Sequence, residues 1–151
     1  MTLKKYNKKR DVSKTNEPEG KEESSGKNIF VVQKHDASRH HYDFRLEING
    51  VLKSWAVPRG PSVNTKERRL AVMTEDHPMS YADFEGIIPE DQYGGGKVIV
   101  WDNGTFENLK DKSLGKAFDD GKLEIELEGK KLKGKRPVEN QEELVAHQDE
   151  R

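Results

Sequence analysis

Four of the five histidines in this 151-residue chain fall between His35 and His77, and three crowd into His35-Asp-Ala-Ser-Arg-His-His41-Tyr-Asp43-Phe-Arg45-Leu-Glu47. On an extended strand, alternate side chains point to opposite faces. Residues 41–48 then divide into an apolar face of Tyr42, Phe44, Leu46 and Ile48 and a polar face of His41, Asp43, Arg45 and Glu47. An imidazole and a carboxylate two residues apart suit Zn2+, Mn2+ or Fe2+. His35, six residues upstream, supplies a third ligand if the intervening loop folds it back. Arg45 has the planar fork that grips phosphate oxygens. The competing interpretation is a solvated polar face, with Arg45 paired to Glu47 or Glu75. His77 and Tyr81 form a second pair, a proton donor and an anion holder, or else a capping histidine over a buried tyrosine. His40 points away from His41 and reads as a bystander.

These residues need elements to hold them. Phe30 to Gln33 predicts a short strand, 34–40 a polar connection, and 41–48 the strand already described. Asn49-Gly50 predicts a type I′ hairpin turn, and Val51 to Val57 the return strand. That loop length sets the register: Phe44 faces Trp55 on the apolar side, while small Ser54 and Ala56 sit beside Arg45 and Asp43, leaving room for a ligand. Strands are expected at 68–75, 84–88, 97–101 and 123–127, with a second hairpin turning at Asn103-Gly104. A short helix is expected over 113–120, with Ser113 as its cap. The sum is a mainly β domain, a compact β-barrel of short antiparallel strands with a few short helices.

Composition sets the outer limits. Hydrophobic residues are 31% and charged residues 36% of the chain, and the apolar ones are unevenly spread. Residues 1–28 read as a disordered charged tail, with Tyr6 and Val12 nearly its only candidates for burial, 29–133 as the barrel, and 134–151 as a polar tail or short helix. The net charge of −1 conceals a local excess over residues 34–69, where eight Lys/Arg outnumber four Asp/Glu. Such a patch around histidines fits a phosphate-bearing polymer. Without cysteine there is no disulfide framework. No apolar run approaches the ~18 residues of a membrane span, and no apolar segment follows the basic N-terminus, so a soluble cytoplasmic protein is expected. The triple glycine at 94–96 lacks the Gly-Lys-Ser/Thr of a P-loop.

The run from Phe30 to Glu47 resembles the signature of the 3′-phosphoesterase domain of bacterial DNA ligase D and its free-standing archaeal and bacterial relatives. The likeness continues through Trp55-Ala-Val-Pro, Arg69-Leu-Ala-Val, Glu75-Asp-His77-Pro, Tyr81, Phe84-Glu-Gly, Tyr93-Gly and Val100-Trp-Asp-Asn-Gly. It implies a β-barrel and a manganese-dependent enzyme, with Zn2+ or Co2+ as other divalent choices. Its implied substrates are DNA primer-template 3′ ends, including 3′-ribonucleotide ends. A diesterase step releases the terminal ribonucleoside, and a monoesterase step then leaves a 3′-OH for ligation. DNA ligase, a repair polymerase and Ku-like proteins are the implied partners, acting in trans. By motif, His35, His41 and Asp43 correspond to metal ligands. Arg45, His77 and Tyr81 correspond to catalytic or phosphate-contacting residues, and Gln33, Arg59, Arg69 and Glu75 to further substrate-binding positions. Three departures stand out: His40 replaces an apolar residue, Arg59 stands where many relatives have lysine, and the final aromatic, apolar strand is missing. Two other readings are a non-haem Fe(II) oxygenase built on His41, Asp43 and His77, and a DNA-end-binding module without catalysis.

Overall fold

Alternation on the second strand organises the molecule, because both of its faces are covered. The computed structural model describes residues 3–11, 13–20 and 24–139. Within these, β1 (Ile29–Asp36), β2 (His40–Ile48), β3 (Val51–Val57), β4 (Val72–Pro78), β5 (Gly86–Ile88), β6 (Gly96–Asn108), β7 (Lys122–Gly129) and β8 (Lys133–Glu139) form one curled antiparallel sheet, a half-barrel. The strand order is β4-β3-β2-β1-β6-β7-β8, with β5 on the side of β6. Two short helices, α1 (Lys4–Lys9) and α2 (Leu114–Asp119), and a 3-10 turn over Met79–Asp83 complete the described residues.

The hairpin is as predicted. Asn49 (φ 54°) and Gly50 (φ 82°) both take the positive angles of a type I′ turn. Phe44 pairs with Trp55, Arg45 with Ser54 and Asp43 with Ala56. On the inner face of the curl, Phe30, Val32, Phe44, Leu46, Trp55, Ile125 and Leu127 close the main core. Leu127 is 1% exposed, so Leu127→Ala is expected to cost ~2–5 kcal/mol and lower Tm by about 10 °C. Thermal unfolding followed by circular dichroism checks this. The opposite face carries a second core of Leu3, Tyr6, Val31, Leu52, Tyr81, Phe84 and Val98. The polar row of β2 lies on this second face, under a cover.

Four expectations need correction. The first concerns the disordered tail. Residues 4–9 are helical, and Leu3 and Tyr6 are fully buried. Tyr6 packs edge-on against His77 and Tyr81, with ring centroids 5.3 and 5.9 Å away, which composition alone could not reveal. Val12, the other proposed anchor, lies outside the described residues. Second, β1 runs on through His35 to Asp36 instead of ending before a loop, because β2 and β6 both pair with it there.

Third, Asn103-Gly104 is no hairpin; β6 passes straight through it. Gly104 serves close approach, since a Cβ there would lie 2.0 Å from the Glu128 carbonyl oxygen on β7. Fourth, the barrel does not stop at 133. β8 pairs with β7 along its length, although its inward positions are Gly134, Arg136 and Val138 and so carry little apolar signal. The turn before it is organised by the buried Asp102 carboxylate, which accepts from the backbone N–H groups of Lys130 (2.9 Å), Lys131 (3.2 Å) and Leu132 (2.8 Å). The expected helix around residue 144 lies outside the described residues.

Candidate active site

Sheet register brings the ligand candidates together. His35 on β1 is directly opposite His41 on β2, and Gln33 is opposite Asp43. His35, His41 and Asp43 each offer one ligating atom, and these atoms lie within 4.8 Å of one another. Asp43 is at the centre: its Oδ2 is 3.5 Å from His35 Nδ1, and its Oδ1 is 3.2 Å from His41 Nε2.

The far nitrogens decide what belongs between them. His35 Nε2 donates to the Gly94 carbonyl at 2.8 Å, and His41 Nδ1 donates to the Arg39 carbonyl at 3.0 Å. A carbonyl oxygen only accepts, so both of those nitrogens carry the proton. In the neutral rings, the two nitrogens facing Asp43 therefore present lone pairs to a carboxylate. A cation among the three groups, or a second proton on an imidazole, relieves that arrangement, and backbone carbonyls behind the imidazoles are the usual outer shell of a metal site. The residues fit a divalent transition metal.

The charges agree with this. Burial alone would raise the Asp43 carboxyl, but Arg45 and the hydrogen bonds from His35 and His41 outweigh it and hold it far below the usual carboxylate range. The bond to Asp43 raises the His41 imidazole, against the opposing effect of burial.

Arg45 joins this cluster to a second one. Its Nη2 is 3.4 Å from Asp43 Oδ2, its Nε donates to Gln33 Oε1 at 2.7 Å, and its Nη1 lies 3.2 Å from His77 Nδ1. Gln33 is itself locked, donating through Nε2 to the carbonyls of Tyr81 (2.8 Å) and Phe84 (3.0 Å). Its place is thus behind the arginine, as a positioning residue. His77 is buried, and burial, then Arg45, then Arg10 push it well below the ordinary imidazole value. The neutral ring donates from Nδ1 to the Glu75 carbonyl at 2.9 Å and accepts at Nε2 from Arg10 at 3.4 Å. In this form the ring orients the Arg10 guanidinium through Nε2 and packs beside that of Arg45. The particular set of His41, Asp43 and His77 is not assembled, because Arg45 stands between Asp43 and His77.

Sequence reasoning gave Arg10 and Glu17 no place in the site, since they lie in the segment read as disordered, and it marked Tyr6 only as a candidate for burial. Arg10 Nε pairs with Glu17 at 2.8 Å and its Nη1 with Glu75 at 3.2 Å, and its guanidinium lies 4.0 Å from the Tyr6 ring centre. Glu17 also accepts from the Tyr81 hydroxyl at 2.5 Å. Burial pushes that hydroxyl's pKa up, so Tyr81 stays protonated. Its ring stands edge-on to His77 at 4.7 Å and carries the Arg45 guanidinium at 4.9 Å. Burial would raise the Glu75 carboxyl, but backbone bonding, Arg10 and Lys9 together lower it. A spacing signal existed for Arg10 and Glu17, opposite charges near buried aromatics, but nothing in the composition distinguished it from the surrounding charges.

Glu47, the last member of the polar row on β2, pairs with backbone instead of with Arg45. It is buried and accepts from the backbone N–H of Ser25 (3.0 Å) and Ile29 (3.3 Å), tying the entering chain to β2. Arg59 and Arg69 stand apart from the metal cluster. Arg69 Nη1 donates to the carbonyls of Arg59 and Gly60, each at 3.0 Å, so it braces a loop whose Arg59 side chain is exposed. Arg69 lines a different surface, a 340 Å³ groove bounded in part by Arg136 and Leu70.

Comparison with known proteins agrees with the geometry. A family described as the DNA Ligase D 3′-phosphoesterase domain matches residues 33–138. The "Multifunctional non-homologous end joining protein LigD" of Pseudomonas aeruginosa is 52% identical over 136 residues, covering 88% of this chain and 16% of that protein. The "Multifunctional non-homologous end joining DNA repair protein LigD" of Mycobacterium tuberculosis is 47% identical over 138 residues, covering 88% of this chain and 17% of that protein. The protein named as the former in Mycolicibacterium smegmatis is 44% identical over 136 residues, with 86% and 18% covered. The chain thus spans less than a fifth of the length of these relatives. Among the described residues, no helix is long and apolar enough to cross a membrane.

Proposed function

The chain belongs to the DNA ligase D 3′-phosphoesterase domain family, and from that premise we propose that it is a metal-dependent phosphoesterase that trims DNA 3′ ends before they are joined. The observation that carries the reading is the pair of imidazoles, each held from behind by a backbone carbonyl, whose other nitrogens converge on Asp43. His35, His41 and Asp43 would hold the metal, Mn2+ by preference, with Zn2+ or Co2+ as alternatives of similar ligand chemistry. When bound, such an ion polarises a phosphoryl oxygen and offsets the charge that builds on it.

The chain's own residues supply the rest. Arg45, with its Nη2 beside Asp43, presents a fixed guanidinium to a phosphate placed at the metal ligands. Gln33 and Asp43 hold that fork in one orientation, so little reorganisation accompanies charge development. Arg10, Glu17 and Glu75 form the outer brace, and the Tyr6 and Tyr81 rings keep water away from it. The substrates are DNA 3′ ends, including those that finish in a ribonucleotide. A diesterase step releases the terminal nucleoside, and a monoesterase step exposes the 3′-OH. Ligase, polymerase and Ku-like proteins would act on the same ends.

The test is a primer-template ending in one ribonucleotide, incubated with Mn2+ and resolved for 3′-phosphate and 3′-OH products. Nucleoside release dependent on the metal is expected. Normal DNA binding with no product under Mn2+, Zn2+ or Co2+ would leave a binding module in its place.

A further inference from the structure

Tyr93 stands at the rim of this site and has no part in the mechanism above. It is 48% exposed, large and aromatic, yet its pose is fixed from two directions. On one side Lys9 Nζ lies 4.6 Å from the ring centre and 3.3 Å from the hydroxyl, and the Arg10 guanidinium lies 5.4 Å from the ring centre. Lys9 in turn pairs with Glu75 at 3.3 Å. On the other side, the next residue along the chain is Gly94, whose carbonyl holds the metal-ligand candidate His35. Gly94 takes φ +75°, and a Cβ there would come within 3.6 Å of the His35 ring, so Tyr93 cannot drift from the ligand cluster without disturbing it. The other exposed large apolar residues, such as Val63, Ile87 and Leu109, have no such connection to the site.

We propose that the exposed part of the Tyr93 ring is the platform on which the 3′-terminal nucleoside packs while its phosphate lies at Arg45 and the metal ligands. This rests on the phosphoesterase reading. Upstream bases of a primer are stacked between neighbours in the duplex. The terminal base alone has a free face to offer a protein aromatic, and such stacking accepts any base. A ring already held by two cations and a short loop loses little freedom when the base arrives. Tyr93 would then be a positioning residue for the nucleoside-releasing step alone. A primer that already ends in a 3′-phosphate has no nucleoside beyond the phosphate and gains nothing from it.

Steady-state kinetics on those two primers, one ending in a ribonucleoside and one in a 3′-phosphate, separate this role from a structural one. Tyr93→Ala is expected to raise KM for nucleoside release by about 10- to 100-fold. The kcat for that step and the hydrolysis of the 3′-phosphate should be unchanged, because loss of uniform binding moves KM alone. Tyr93→Phe and Tyr93→Trp, which keep the ring, should restore KM. An unchanged KM in Tyr93→Ala, or equal losses on both primers, would overturn the proposal. Equilibrium binding of the same two primers supplies an arm that needs no turnover. Wild type should prefer the nucleoside-ended primer, and Tyr93→Ala should lose that preference. If wild type turned over neither primer, the phosphoesterase reading would fall, and this preference would decide the Tyr93 assignment by itself; its absence from wild type, or its survival in Tyr93→Ala, overturns it.

Discussion

Asp43→Ala is expected to lower kcat/KM for 3′-end trimming by roughly 10³-fold or more, since metal stabilisation of a phosphoryl transition state amounts to several kcal/mol. Among the described residues, the carboxylate is the group that faces both imidazoles and Arg45 at once. Without it the two histidines keep their carbonyl partners but lose the anion that completes a ligand set. The fold should survive, because Arg45 retains Gln33 and the hairpin core lies on the other face. Initial rates measured under saturating Mn2+, with an unchanged circular dichroism spectrum, check this. A variant within tenfold of wild type would show that Asp43 is not a ligand.

The second large effect falls on a residue far from the histidine motif. Arg10→Ala removes the partner of two buried carboxylates, Glu17 and Glu75, and the donor to His77. Loss of one preorganised electrostatic contact in an enclosed site costs about 10²–10³ in rate. Breaking a buried ion pair by removing one member costs about 3–5 kcal/mol of stability. Arg10→Lys restores one positive charge but cannot reach Glu17, Glu75 and His77 together, so it should recover only part of the activity. Rates are compared at a temperature where thermal melts show both variants folded. Wild-type activity in Arg10→Ala would confine the N-terminal segment to packing.

The contrast between His41 and Arg10 shows where the sequence was informative. Alternation through 41–48 and the Asn49-Gly50 turn determine a register directly, because strand period and turn geometry are local properties. His41, Asp43 and Arg45 were therefore placed on one face correctly, opposite Ala56 and Ser54. His35 was assigned to a loop, since Lys34-His35-Asp36 has no apolar pattern. What extends β1 there is backbone pairing on both sides, which side-chain periodicity does not record. The places of Tyr6, Arg10 and Glu17 were hidden for a similar reason. Their burial depends on contacts with β4 and the turn after it, more than sixty residues away in the chain, while most of their neighbours are charged or polar. Arg59 and Arg69 belong to a dense local positive charge that the fold carries on a loop, where Arg69 braces the Arg59 and Gly60 carbonyls and borders a groove.

On the function proposed above, His35, His41 and Asp43 hold one divalent metal ion. Electron paramagnetic resonance of Mn2+ titrated into the protein tests it directly, because the six-line signal of the free aqueous ion is lost on binding. Wild type should take up one equivalent, and Asp43→Ala should leave the added Mn2+ free. Equal uptake by both proteins, or none by wild type, would contradict the assignment.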